Sequence, residues 1–140
     1  IMEVALKNDY NDIEIGAVYS FNHTISEVHV KTFAELSGDF NPLHMNEKFG
    51  VNSKFGKNVV HGMLTASLFS RLVGMYCPGE KCLYLSQTMQ FKIPLFYGEM
   101  VEVKGTVLGK VDALKMIKIL TEIYRGTDLI ILGEANTIFQ

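Results

Sequence analysis

The apolar positions of this chain follow no period up to about residue 16 and then fall into recognisable rhythms. Residues 18–24 alternate and predict a first strand. Ser26 is a good N-cap, and Val28, Val30, Phe33, Ala34 and Leu36 give the following helix an apolar face that stops at Gly38. Residues 39–60 scatter Asn, Pro, Gly, Ser and Lys and read as loop. Residues 61–76 then predict a long second helix. Met63, Leu64, Ala66, Leu68, Phe69, Leu72, Val73 and Met75 surround most of its circumference, and Arg71 is its only Lys, Arg, Asp or Glu. A helix that is apolar nearly all round has to be buried nearly all round, so something broad must wrap it.

The second half of the chain supplies the wrapping. Residues 83–93 read as a strand ended by Pro94. Val101, Val103 and Val107 alternate with Glu102, Lys104 and Thr106, and Ile117, Ile119 and Ile123 repeat the period in the next strand. Arg125-Gly126-Thr127-Asp128 is a turn, and residues 129–139 form the last strand, with Gly133 as its bulge. Consecutive strands joined by short turns give an antiparallel order. The expectation is a single α+β domain over residues 1–140, a curved sheet cradling one long helix.

Composition narrows the partners. At 140 residues one domain is the default, and about 68% of the unfolded surface can be buried at this size. The chain is 48% hydrophobic and 20% charged, with a net charge of -2 and no block of like charges, so nucleic acid and anionic membrane are poor partners. No stretch is long and apolar enough to span a bilayer. Glu3, Lys7, Asp9, Asp12 and Glu14 leave no room for a secretory signal, and Ile1 ahead of Met2 reads as an addition. Cys77 and Cys82 lack a C-x-x-C spacing and read as reduced structural thiols of a cytoplasmic or other reducing compartment.

Candidate chemistry sits in Leu36-Ser37-Gly38-Asp39-Phe40-Asn41-Pro42-Leu43-His44 and in His61-Gly62-Met63-Leu64. Pro42 pushes Asn41 towards an extended conformation, so Asp39 and His44 are not neighbours on one helix. A shaped segment can instead bring the carboxylate and the imidazole to one place, the pair that acid–base catalysis on a small molecule needs. An Asp before Asn-Pro is also an ordinary turn former. His61 reads as a helix cap without chemistry, and it is the one residue that could add a third ligand to the pair, so no metal is expected.

Gly38-Asp39-Phe40-Asn41-Pro42-Leu43-His44, Val60-His61-Gly62-Met63 and Phe91-x-x-Pro94-x-x-x-Gly98 resemble the MaoC-like (R)-specific enoyl-CoA hydratases over the chain from about residue 20 onward. The resemblance implies a hot-dog fold, in which an antiparallel sheet wraps a central helix. It implies Asp39 and His44 as the catalytic pair, the Gly62 backbone N–H as the site for the thioester oxygen, and Ser70 near the pair. Val73 follows Ser70 by three residues on the same helical face and is expected to line the acyl pocket. Partial burial is expected to raise the pKa of Asp39. A homodimer is implied as well.

The expected activity is reversible hydration of trans-2-enoyl-CoA to (R)-3-hydroxyacyl-CoA, with no cofactor beyond the thioester that is its substrate. A dehydratase acting on an acyl-carrier-protein thioester differs only in the carrier. A thioesterase on the same fold would aim water at the thioester carbonyl, and a thioester-binding module would have no use for an acid–base pair.

Overall fold

Strand β1 (Val18–Thr24) forms over the predicted residues, and the chain turns at Ile25 into α1 (Glu27–Ser37). The Ser26 hydroxyl accepts from the His29 N–H, and Gly38 closes the helix at φ 79°, a conformation that glycine reaches without Cβ strain. The face of α1 is narrower than expected: Val30 and Ala34 are buried, Val28 and Leu36 are exposed. The computed structural model describes residues 3–140, so the reading of Ile1 lies outside the described residues.

The segment expected to be loop contains two short helices, α2 (Pro42–Met45) and α3 (Glu47–Asn52). Each opens on an asparagine whose side-chain oxygen accepts a first-turn N–H, Asn41 from Leu43 and Asn46 from Phe49. Pro42 at the first helical position needs no N–H partner. The residues that look like loop formers are therefore caps.

The long helix is continuous in direction but irregular. It runs through α4 (Gly62–Ala66), α5 (Leu68–Arg71) and a π turn (Leu72–Tyr76), with Ser67 in right-handed helical conformation at the first junction. The Cys77 N–H closes the π turn on the Leu72 carbonyl at 3.0 Å. Thr65, Ala66, Phe69, Leu72 and Val73 are buried, whereas Gly62, Met63, Ser67 and Ser70 are exposed. The wrapping is thus one-sided: the sheet of one chain covers half of the helix and leaves the rest open.

The sheet that covers it has strands β2 (Cys82–Gln87), β3 (Gln90–Phe91), β4 (Met100–Val111), β5 (Met116–Arg125) and β6 (Asp128–Phe139) in addition to β1. All pairings are antiparallel, in the order β1-β4-β5-β6-β2, with β3 also on β6. The strand expected over residues 83–93 is broken at Thr88 and Met89. Gly133 is not a bulge; it pairs in register with Thr121, and a Cβ there would collide with the Thr88 carbonyl. The glycine admits the break in its neighbour strand. The bulge of β6 is at Ile130, where the pairing steps from Ile123↔Ile131 to Tyr124↔Leu129. A bulge lets two successive residues face one side, and Ile130 and Ile131 are both buried.

Two apolar clusters fill the space between helix and sheet. Phe69 and Leu72 pack with Phe21, Val101, Val103 and Ile123 in one, and Val73 and Cys77 pack with Ile13, Val107, Ile117 and Ile119 in the other. Ile13 draws the irregular N-terminal segment into the core. Leu6 fastens the same segment by a 2.9 Å bond to the Met75 carbonyl.

Candidate active site

Three bonds fix Asp39 just beyond the end of α1. Its N–H donates to the Ser37 hydroxyl at 3.2 Å, its Oδ1 accepts the Asn41 N–H at 3.1 Å, and its backbone carbonyl meets His61 Nε2 at 3.0 Å. The turn former and the candidate catalyst are therefore the same residue: Oδ1 shapes the turn, and Oδ2 is left to point at His44. Oδ2 lies 4.0 Å from His44 Nε2. The Asp39 side chain is 48% exposed in the single chain.

His44 sits on α2 with its side chain 16% exposed. Its Nδ1 is 2.6 Å from the Val59 carbonyl oxygen. A carbonyl only accepts, so Nδ1 carries a proton, and Nε2 is the ring nitrogen that faces Asp39. Behind the ring, Asn58 holds α2 in place. Its buried amide nitrogen is shared among the carbonyls of Leu43, Asn46 and Pro42 at 2.9, 2.9 and 3.3 Å. Sequence reading does not single out Asn58; its only signal is a polar residue leading into the long uncharged run before Arg71.

His61 is the second residue whose part the sequence understates. It occupies the N-cap position of α4, but its side chain makes no capping bond. The ring is 2% exposed and lies against His44 at 4.0 Å between centroids. Asp39, His44 and His61 offer ligand-type atoms within 4.8 Å of one another, so the third group near the pair exists. An ion there would have to take His44 Nε2, the Asp39 carboxylate and the enclosed Nδ1 of His61, because the other two imidazole nitrogens face backbone carbonyls.

A cavity of about 450 Å³ opens beside the pair, with His44, Gly62, Phe91, Pro94, Ile130 and Ile131 on its walls. It is apolar on most sides, and the bulge at Ile130 is what turns two isoleucines into it. Arg125 holds its rim: the guanidinium donates to the Pro94 carbonyl at 3.2 Å and pairs with Glu99 and Asp128, each at 3.2 Å. Gly62, the first residue of α4, has its N–H in the turn where a helix leaves donors unpaired. A Cβ at Gly62 would come within 2.8 Å of the Phe91 ring, so the glycine also makes room for that ring.

The remaining expected residues lie elsewhere. Val73 does not line this cavity; it is fully buried in the cluster around Ile117 and Ile119. Ser70 is exposed on the open side of the helix and does not line the cavity. The expectation for Val73 rests on its sharing a helical face with Ser70, and the structure puts the two on different sides, Val73 in the core and Ser70 exposed. His23 and His29 stack on each other at 5.7 Å, and burial holds His23 below the usual imidazole range. Among the described residues no helix is long and apolar enough to cross a membrane.

Comparison with known proteins agrees with this architecture. Residues 11–124 match the family model described as MaoC like domain. An (R)-specific enoyl-CoA hydratase of Aeromonas caviae is 37% identical, over 88% of this chain and 92% of its own. A 3-hydroxybutyryl-CoA dehydratase of Methylorubrum extorquens is 34% identical, over 90% of this chain and 80% of its own. The solved structure of the (R)-hydratase from A. caviae superposes with a TM-score of 0.88 at 36% identity, covering 91% of this chain and 98% of that one. The helix on its antiparallel sheet is thus the hot-dog arrangement, and with the family model spanning the Asp39 turn, α4 and five of the six strands (β5 but for its last residue), the chain belongs to the MaoC-like family.

Proposed function

We propose that this protein is a hydro-lyase that hydrates trans-2-enoyl-CoA thioesters reversibly to (R)-3-hydroxyacyl-CoA. The observation that carries the reading is the 4.0 Å gap between Asp39 Oδ2 and His44 Nε2, at the side of an apolar cavity. With the His44 ring neutral, two acceptors at that spacing suit one water that donates a hydrogen bond of about 2.8 Å to each. The water's lone pair then points outward, towards carbon 3 of an acyl chain lying along the cavity.

Attack puts OH on carbon 3 and drives negative charge onto the thioester oxygen. Asp39 takes the water's proton, and the pair returns a proton to carbon 2, so the reaction balances as addition of one water. The Gly62 N–H is the donor for the developing oxyanion, and a glycine lets the thioester approach the backbone. The side chains and the helix terminus serve every step, so the reading calls for no metal and no resident cofactor; the thioester is the substrate.

The open half of the helix supports a homodimer. Met63 is 56% exposed there, and Leu64 and Leu68 are half-buried. A second chain would cover this face and bury Ser70 with it. Light scattering should return about twice the 15.7 kDa of the chain.

The test of the activity is loss of enoyl absorbance when the protein meets crotonyl-CoA, with chiral analysis of the product. Thiol release from saturated butyryl-CoA would instead mark a hydrolase. No turnover of crotonyl-CoA or of longer enoyl-CoA esters would overturn the coenzyme A reading and direct the search to carrier-protein thioesters.

A further inference from the structure

We infer that His61 is a positioning residue: its Nε2–H holds the Asp39 backbone carbonyl and thereby aims the Asp39 carboxylate at His44. The inference rests on the hydratase reading for its kinetic consequence but not for its geometry.

His61 is 2% exposed, yet it touches both members of the pair. Nε2 lies 3.0 Å from the Asp39 carbonyl oxygen, and Nδ1 is buried with no partner among the described residues. These two facts assign the tautomer. With the proton on Nε2, the ring donates to the carbonyl and leaves a bare lone pair at Nδ1. With the proton on Nδ1, a buried N–H would have no acceptor, and the Nε2 lone pair would face the carbonyl lone pairs. The second arrangement carries two penalties where the first carries one.

The consequence lies at Asp39. Its carboxylate is half exposed, and the bond that Oδ1 accepts from the Asn41 N–H comes from the same short turn, so its direction depends on how that turn is held. That backbone is held on one side by the Ser37 hydroxyl, on the N–H, and on the other by His61, on the carbonyl. The Ser37 bond comes from the same short turn. Among the described residues the His61 bond alone links the Asp39 backbone to the long helix, 22 residues away in sequence, and so fixes the turn relative to Gly62. The titratable groups facing His61 are Asp39 from the turn and His44 from α2. From α1 it meets the uncharged ring of Phe33, 4.9 Å between centroids.

Two substitutions separate the donor from the ring. In His61→Gln the carboxamide keeps an N–H near the Nε2 position and loses the ring. In His61→Phe the ring stays between Phe33 and His44 and the donor is lost. Crotonyl-CoA kinetics should show kcat falling by about 10- to 100-fold in His61→Phe, with KM within about threefold, because misplacement of the base weakens the step and not substrate binding. His61→Gln should keep kcat within about fivefold of the parent. Hydrogen exchange supplies a readout free of activity: the Asn41 N–H, bonded to Asp39 Oδ1, should exchange faster in His61→Phe and stay protected in His61→Gln. Imidazole nitrogen shifts of the parent should give the Nε2–H tautomer for His61.

The opposite pattern, an active His61→Phe and an inactive His61→Gln, would make His61 a packing ring and overturn the inference. Parent-like kcat and exchange in both variants would overturn it too, as would an Nδ1–H tautomer. Absence of turnover in the parent would instead count against the hydratase reading, and exchange and tautomer would still decide the role of His61.

Discussion

The Val59 carbonyl holds the His44 ring by Nδ1, 2.6 Å away, and so leaves Nε2 facing Asp39. Asp39 is set by its own turn, with Oδ1 bound to the Asn41 N–H and Oδ2 left free. An Asp39→Asn substitution should keep Oδ1 in that bond and point an NH₂ group at His44. The water then meets a donor where it needs an acceptor. Turnover of crotonyl-CoA should fall by about 10²- to 10⁴-fold with little loss of thermal stability. His44→Asn should fall by a similar factor, and the double variant should fall little further, because the two groups act on one water. Parent-like turnover in either single variant would remove that residue from the mechanism.

The hydratase reading gives Gly62 a duty beyond making room for Phe91, and one experiment separates the two. A Cβ there meets the Phe91 ring at 2.8 Å, but that ring is 52% exposed and can swing away. If the glycine only makes room for Phe91, Gly62→Ala should be repaired by Phe91→Ala. If it lets a thioester oxygen reach the N–H, the Cβ still blocks the approach in the double variant. We expect Gly62→Ala to lose about 10- to 100-fold in kcat/KM, towards the cost of a missing oxyanion donor, without rescue by Phe91→Ala. Full rescue would assign the glycine to packing.

Asn58 should matter to stability and activity together. One buried amide nitrogen serves three carbonyls along α2 as a second donor beside a backbone N–H, and its removal takes away the side-chain tie between α2 and the segment that follows α3. Asn58→Ala should lower stability by about 1–3 kcal/mol, read by urea unfolding. Turnover should fall with it, because the same helix carries His44. Unchanged kcat in a destabilised Asn58→Ala would show that His44 is positioned by Val59 alone.

What the sequence revealed was local, and what it hid was made by contact between distant segments. Alternation in β4 and β5 and the caps of α1 are written in neighbouring residues, and the structure has them where the pattern puts them. Asn41 and Asn46 misled in the opposite sense, since the side chains that suggest a loop serve as caps of α2 and α3. The bulge at Ile130 leaves no mark in composition, because Gly133 is the residue that looks like a bulge and instead yields to the Thr88 carbonyl. In the site, Asp39 and His44 were legible as a pair of chemical types around Asn-Pro. His61 was not, because its bond to Asp39 spans 22 residues and its burial depends on α1 and α2 packing over it. Val73 could not be placed from the helix alone: apolar residues lie nearly all round it, and only the one-sided sheet decides which of them face the core.

The thiols make a final prediction about pH. Burial pushes the Cys77 thiol from 9.0 up to about 12, with neighbouring Cys82 adding to the shift, and burial pushes Cys82 up to about 11. A thiol whose folded pKa is raised keeps its proton in the native state while the unfolded chain gives it up. The stability tied to that proton is complete below about pH 9 and is lost progressively as pH climbs towards 12. Thermal unfolding followed from about pH 8 to about pH 11 should therefore show a falling Tm, and Cys77→Ala should flatten the fall even though it lowers Tm at about pH 7. Tyr84, pushed from 10.0 up to about 12, adds to the decline only above about pH 10 and is shared by both proteins. In the native protein at about pH 8, Cys77 should resist a thiol reagent and become reactive on adding denaturant. An equal slope in parent and variant would show that Cys77 ionises as readily in the folded chain as in the unfolded one.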